Sequence, residues 1–183
     1  LDYVSSIAEA NNIIAVNLSF SLGGGVNSEI INSIVTELVD KGVSVVVSAG
    51  NEQQGGSVIG SPGTTPYAVT VGAVNEKNEV TNYTSIGSIN NDVIKPDVVA
   101  PGGSVKGIND EAYERLGIVS AKTTYNVSGN PNNYSSWWNT TQGLAVDPYT
   151  TKIGTSQAAP MVTGLIGLMA SKRQGAWSFN SSE

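Results

Sequence analysis

The chain has 183 residues, long enough for one compact domain with a substantial core, and its 39% hydrophobic share is ordinary for a globular protein. A formal net charge of -6 with only nine Lys and Arg, scattered along the chain, excludes the clustered basic face that nucleic-acid recognition needs. Cysteine and histidine are both absent, which removes disulfides, thiol chemistry and any imidazole base from this chain.

No apolar run reaches the length needed to span a bilayer, and the N-terminus shows no basic region followed by an apolar core. The surface chemistry is neutral and hydrogen-bonding, rich in Asn, Ser, Thr, Gly and Tyr, which leans toward an extracellular or cell-surface protein. Sequons beginning at Asn82, Asn126, Asn133, Asn139 and Asn180 would suit a glycosylated surface. The sequon at Asn17 falls in an expected buried strand and should be inaccessible.

In chain order, residues 2–11 read as a short amphipathic helix carrying Tyr3, Val4, Ile7 and Ala8 on one side. Ile13 to Ser19 is a continuous apolar run that suits a parallel strand covered on both faces. Glycines 23–25 follow. From Ser28, an expected N-cap, Ile30, Ile31, Ile34, Val35, Leu38 and Val39 recur at helical spacing until Gly42. Val43 to Ala49 and Ala68 to Val74 are two more strands, so strand, helix, strand predicts a parallel crossover and an α/β fold. Residues 103–152 are rich in Asn, Ser, Thr and Tyr and read as a surface insertion, with a strand over Gly117 to Ala121. Thr155 to Lys172 is a helix apolar all round, which predicts burial at the centre of the fold.

The chemistry gathers at Gly154-Thr155-Ser156-Gln157-Ala158-Ala159-Pro160. Ser156 falls at a helix start, where free N–H groups and the positive end of the dipole favour a developing anion. Helix capping by Thr-Ser would account for those two residues alone. The whole string, with Gly164 after it, resembles the nucleophile motif of the subtilisin-like serine proteases. Val46-Val47-Ser48-Ala49-Gly50-Asn51 resembles that family's strand ending in Ala-Gly-Asn, whose asparagine donates to the oxyanion, and Asn17-Leu18-Ser19 and Ser21-Leu22-Gly23-Gly24 resemble its substrate strand and glycine turn. Tyr67 to Val74 and Lys95 to Gly102 resemble two further segments, and all of these stand in family order.

The resemblance implies a three-layer, mostly parallel sheet with helices on both faces, incomplete in this chain. It implies a serine endopeptidase with Ser156 as nucleophile and Asn51 as oxyanion donor. A carboxamide suits that role because it donates without ionising. Peptide substrate would lie along the edge at Ser19 to Gly24 through backbone bonds. Counting back from Asn51 favours Ser21, Leu22 and Gly23 as one pocket wall, whereas the Asn17-Leu18-Ser19 string favours Ser19. Ser48, Ala49 and Gly50 would form the facing wall with Gly60 near the base. Glu52 is either a rim charge favouring basic substrates or a solvated loop carboxylate.

The family's aspartate and histidine motifs do not occur here. The expectation is that they lie in sequence outside this chain, that the chain alone is essentially inactive, and that its sheet exposes an edge. A non-catalytic subtilase-like binding module is the rival reading. A phosphate cradle at Gly23 to Gly25 lacks the lysine and the glycine spacing it would need. No cofactor is required. Structural calcium, common in the family, has candidate ligands in Asp92, Asp97, Asp110, Glu111 and Asp147 without a dense carboxylate loop.

Overall fold

A computed structural model describes residues 1–22, 25–52, 58–87, 94–104, 117–121 and 149–173. In chain order the elements are α1 (Asp2–Ile7), β1 (Ala15–Leu18), α2 (Glu29–Asp40), β2 (Ser44–Ser48) and β3 (Val69–Val74). They continue with β4 (Val98–Pro101), β5 (Ile118–Ala121), β6 (Tyr149–Lys152) and α3 (Thr155–Lys172). The strands β1-β2-β3-β4 form one parallel four-stranded sheet in that order, and β5 pairs antiparallel with β6.

Strand alternation sorts the core into two clusters. Val45 and Val47 of β2 pack on one face with Leu18, Val35 and Leu38. Val46 packs on the other with Val71, Ala73, Ala100, Ala158 and Ala159. All five residues of β2 are therefore buried, and a strand covered on both faces needs an unbroken apolar run rather than an alternating one. The layers are α1 and α2, the sheet, and α3, as the expected α/β architecture required.

Local chemistry sets the boundaries. Ser28 caps α2 by accepting the Ile31 N–H, and Gly42 at φ 79° turns the chain into β2. The first helix ends at Ile7, short of the expected residue 11, and Asn12 leaves it with a positive φ of 50°.

Three expectations are corrected. Lys95 to Gly102, for which no strand was expected, contains a fourth parallel strand: Val98 and Val99 pair with β3, Pro96 preceding them and Pro101 ending the strand. Within the expected insertion, β6 was not foreseen; residues 105–116 and 122–148 lie outside the described residues. The all-round burial expected of α3 holds only for the side on the sheet. Thr155, Ala158 and Ala159 are buried, while Met161, Leu165, Leu168 and Met169 are 43%, 54%, 67% and 54% exposed. The reason is geometric: α3 lies on one face of the sheet, and no described element covers its far side.

The Asn17 side chain is also exposed rather than inaccessible, because β1 is an edge strand among the described residues. Its Nδ2 donates to Ser19 Oγ at 2.8 Å and its Oδ1 accepts from Thr163 Oγ1 at 3.2 Å, which ties β1 to α3.

Candidate active site

Gly154 is the N-cap of α3 with φ 138°, a conformation that L side chains rarely adopt. A Cβ there would also crowd Gln157 Oε1 at 3.1 Å and Asn51 Nδ2 at 3.3 Å. Thr155 follows it and does not cap the helix. Its N–H and its hydroxyl both reach Asn51 Oδ1, at 2.9 and 3.0 Å, while Thr155 Oγ1 accepts the Gly50 N–H at 3.1 Å.

Those contacts settle which way the Asn51 carboxamide faces. Two donors on Oδ1 exclude the flipped amide, which would set NH₂ against the Thr155 N–H. The Nδ2 hydrogens are thereby turned toward Gly154 and solvent, at an exposed residue. First-turn N–H groups have no helical acceptor. That of Thr155 goes to Asn51 and that of Gln157 to Gly154 O, which leaves the Ser156 N–H over among the described residues.

Ser156 and Ser19 exchange two hydrogen bonds. Ser156 Oγ donates to Ser19 O at 3.2 Å, and Ser19 Oγ donates to Ser156 O at 2.9 Å. The second bond exists because Pro160 stands four residues after Ser156. Proline has no N–H, so the helical partner of Ser156 O is missing and the Ser19 hydroxyl replaces it. The proline of the motif thus opens a docking point beside Ser156 for the segment that follows β1.

Among the other expected substrate-binding residues, Ser21 is half-buried beyond Ser19, and exposed Leu22 donates its N–H to Ser61 O at 2.9 Å. Gly23 lies outside the described residues. Ser48, Ala49 and Gly50 are buried at the end of β2, and Gly60 is buried in the loop that receives Leu22. The Glu52 carboxylate folds back: its Oε2 accepts the Asn51 N–H at 3.0 Å and the Ser85 hydroxyl at 3.1 Å.

Sequence reasoning missed Thr155, Gly102 and Tyr83. Gly102 O accepts the Gly154 N–H at 2.9 Å, and Tyr83 OH lies 3.0 Å from Gly102 O and 2.6 Å from Gly103 O. Burial holds the Tyr83 hydroxyl protonated above the usual tyrosine range. The closing glycines of the Lys95 to Gly102 string were the available signal, since residues without side chains mark places where backbones meet.

On the question of a metal, Asp97 Oδ2 accepts the buried Lys95 ammonium at 2.7 Å and the Thr70 N–H at 2.7 Å. An oxygen so engaged by donors is poorly placed to ligate calcium. Among the described residues, no three His, Cys, Asp or Glu side chains gather as a metal site. The other four candidate ligands lie outside the described residues.

The description "Subtilase family" applies to the family model that matches residues 2–181. The chain belongs to the subtilase family. Its similar relatives include subtilisin NAT of Bacillus subtilis subsp. natto, 37% identical over 101 residues, covering 54% of this chain and 24% of that protein. A cuticle-degrading serine protease of Arthrobotrys oligospora is 34% identical over 105 residues, covering 57% of this chain and 23% of that protein. The matches thus span about a quarter of those relatives. Among solved structures, proteases from Pseudoalteromonas arctica match at a TM-score of 0.60 and 26% identity, over 86% of this chain and 38% of theirs. The prenylagaramide maturation protease matches at 0.60 and 17% identity over 92% of this chain and 47% of its own, which speaks for the subtilase fold alone.

No described helix of this subtilase is long and apolar enough to cross a membrane. Its kinship is with serine proteases, and the site assembled from Asn51, Thr155 and Ser156 stands on the segments that carry the family resemblance.

Proposed function

We propose that this chain is the nucleophile-bearing part of a serine endopeptidase, which cleaves peptide bonds through an acyl-enzyme on Ser156. The observation that carries the reading is the carboxamide of Asn51, oriented by Thr155 so that its NH₂ faces the turn bearing Ser156. Donors already aimed where negative charge develops need no reorganisation during reaction, which is why such sites lower barriers.

In this reading Ser156 Oγ attacks the scissile carbonyl, and Asn51 Nδ2 with the Ser156 N–H receives the tetrahedral oxyanion. The proton of Ser156 must leave to a base. The chain has no histidine, so an imidazole and the aspartate that orients it are supplied by sequence outside this chain. Where Ser156 Oγ now donates to Ser19 O, it would donate to that imidazole instead. The exposed Met161, Leu165, Leu168 and Met169 and the edge of β1 are the surfaces that such a segment would cover.

Peptide substrate would pair along Ser19 to Leu22, with its P1 side chain between that segment and Ser48 to Gly50. Because Glu52 is engaged by Asn51 and Ser85, the rim favours apolar over basic P1 residues. The neutral, Asn-rich surface and the exposed Asn82, which opens a sequon, support an extracellular, glycosylated protein.

The test is peptide hydrolysis by the intact protein and its Ser156→Ala variant. Hydrolysis by the first, with a loss of about 10⁶-fold in kcat in the second, is expected, a size measured on a subtilisin, the family of this chain. Hydrolysis that survives the substitution contradicts the assignment. An intact protein without hydrolysis points instead to a non-catalytic subtilase-like binding module.

A further inference from the structure

Tyr83 belongs neither to the oxyanion pair nor to the substrate strand, yet its hydroxyl ends beneath the nucleophile turn. The half-buried ring packs with the cluster of Val46, Val71, Ala73, Ala158 and Ala159, which also seats the first turn of α3. The hydroxyl has one proton to give. The 2.6 Å contact to Gly103 O takes it most directly, with Gly102 O sharing at 3.0 Å.

Gly102 is the junction between three parts of the fold. Its N–H donates to Val74 O at 3.0 Å, which fixes it to the end of β3, and its carbonyl accepts the Gly154 N–H at 2.9 Å. A Cβ on Gly102 would lie 2.5 Å from Ala73 Cβ, 2.9 Å from Gly154 O and 3.0 Å from Tyr83 OH. Strand end, tyrosine and nucleophile turn therefore meet without spare volume.

Gly154 cannot hold its own conformation. A glycine at φ 138° has no Cβ to restrict it, so its geometry is imposed by the groups that bind it. We propose that Tyr83 is a positioning residue for Ser156: its hydroxyl fixes the Gly102 and Gly103 carbonyls from which the Gly154 turn hangs. That fixes the first turn of α3, and with it Ser156, relative to Asn51. The proposal rests on the serine-protease reading and adds a residue to it.

Phenylalanine at this position keeps the ring in its cluster but leaves the buried Gly103 carbonyl without its donor. The Gly102 and Gly103 backbone then shifts, and the displacement reaches Ser156 two residues past Gly154. Misplacing a reacting atom by about 1 Å can cost as much as 10²-fold in rate.

The experiment compares the intact protein with its Tyr83→Phe variant by steady-state peptide hydrolysis, thermal midpoint and amide hydrogen exchange at Gly154 and Thr155. A fall of about tenfold in kcat per phosphonate-titrated site, with KM unchanged, is expected. Exchange at Gly154 should quicken while amides of α2 and β2 keep their rates. A merely structural tyrosine would lower the thermal midpoint and leave kcat per titrated site as it was. Unchanged kcat per site, or unchanged exchange at Gly154, overturns the proposal. If the unsubstituted protein neither cleaves peptides nor labels at Ser156, the protease reading fails, and exchange at Gly154 alone decides the role of Tyr83.

Discussion

The two flanks of α3 meet opposite surroundings. At its inner end, the polar groups around Ser156 find partners within the chain: Asn51 with Thr155, Ser19 with Ser156, Gly154 with Gly102. Along its outer flank Leu165 and Leu168 are more than half exposed, and a Cβ on Gly164 or Gly167 would meet nothing within 4 Å. The difference teaches that the Asn51 carboxamide is oriented by contacts within the chain, whereas the outer flank is apolar without being covered by any described element. Preorganisation and coverage are separate properties of this helix.

Substitutions can break that separation, beginning with the inner end. Asn51→Ala should lower kcat of the intact protein by about 10²–10³-fold with little change in KM, a range measured on a subtilisin, the family of this chain. Steady-state kinetics check it; an equal fall in kcat/KM caused by KM alone would remove Asn51 from the oxyanion site.

On the outer flank, Leu168→Asp separates chain from protein. In this chain alone the substitution is solvent-facing and should change stability by no more than about 0.5 kcal/mol. In a protein where a further segment covers the flank, as proposed, the loss should be on the order of 2 kcal/mol or more. Denaturant titration of both forms measures the gap, and equal losses would mean that nothing covers the flank.

Back at the inner end, Thr155→Val removes the hydroxyl that holds Asn51 Oδ1 and accepts the Gly50 N–H. Leaving the buried Gly50 N–H without its acceptor costs about 1–3 kcal/mol, and with Asn51 less firmly held a fall of about tenfold in kcat is expected. Thr155→Ser should restore most of it.

The smallest effect lies far from the site, where Lys41 and Ser5 bind the Glu37 carboxylate. The hydrogen bond from Lys41 is the first cause that holds its pKa below the usual glutamate range. A depressed acid contributes stability above the unfolded-state pKa and loses it as pH falls through the folded value. Glu37→Gln should therefore lower stability slightly across the neutral range and flatten its acid-side decline, which denaturant titration at several pH values reads.

Much of this was legible in the sequence, for reasons that differ by element. The β2 run could be read because burial on both faces requires unbroken apolar residues, and α2 because a Ser28 cap and a Gly42 stop frame its period. Asn51 and Ser156 stood out because the strings that carry them resemble the family's and the proposed roles need particular side chains; that Thr155 joins them was not readable. The strand at Val98 to Pro101 was hidden by Pro96 before it and Pro101 at its end. The exposure of Leu165 and Leu168 was not readable, since apolar composition reports affinity for a neighbour and not whether one is there. Thr155 and Tyr83 act on a carboxamide and on backbone carbonyls, and such contacts leave no spacing in the sequence.

The most direct test of the claim that Ser156 and Asn51 form one acylation site is labelling of the intact protein with a peptidyl phosphonate, mapped by mass spectrometry. A single adduct on Ser156, formed more slowly in the Asn51→Ala variant and absent in Ser156→Ala, is the expected result. An adduct on another residue, or labelling whose rate is indifferent to Asn51, would contradict it.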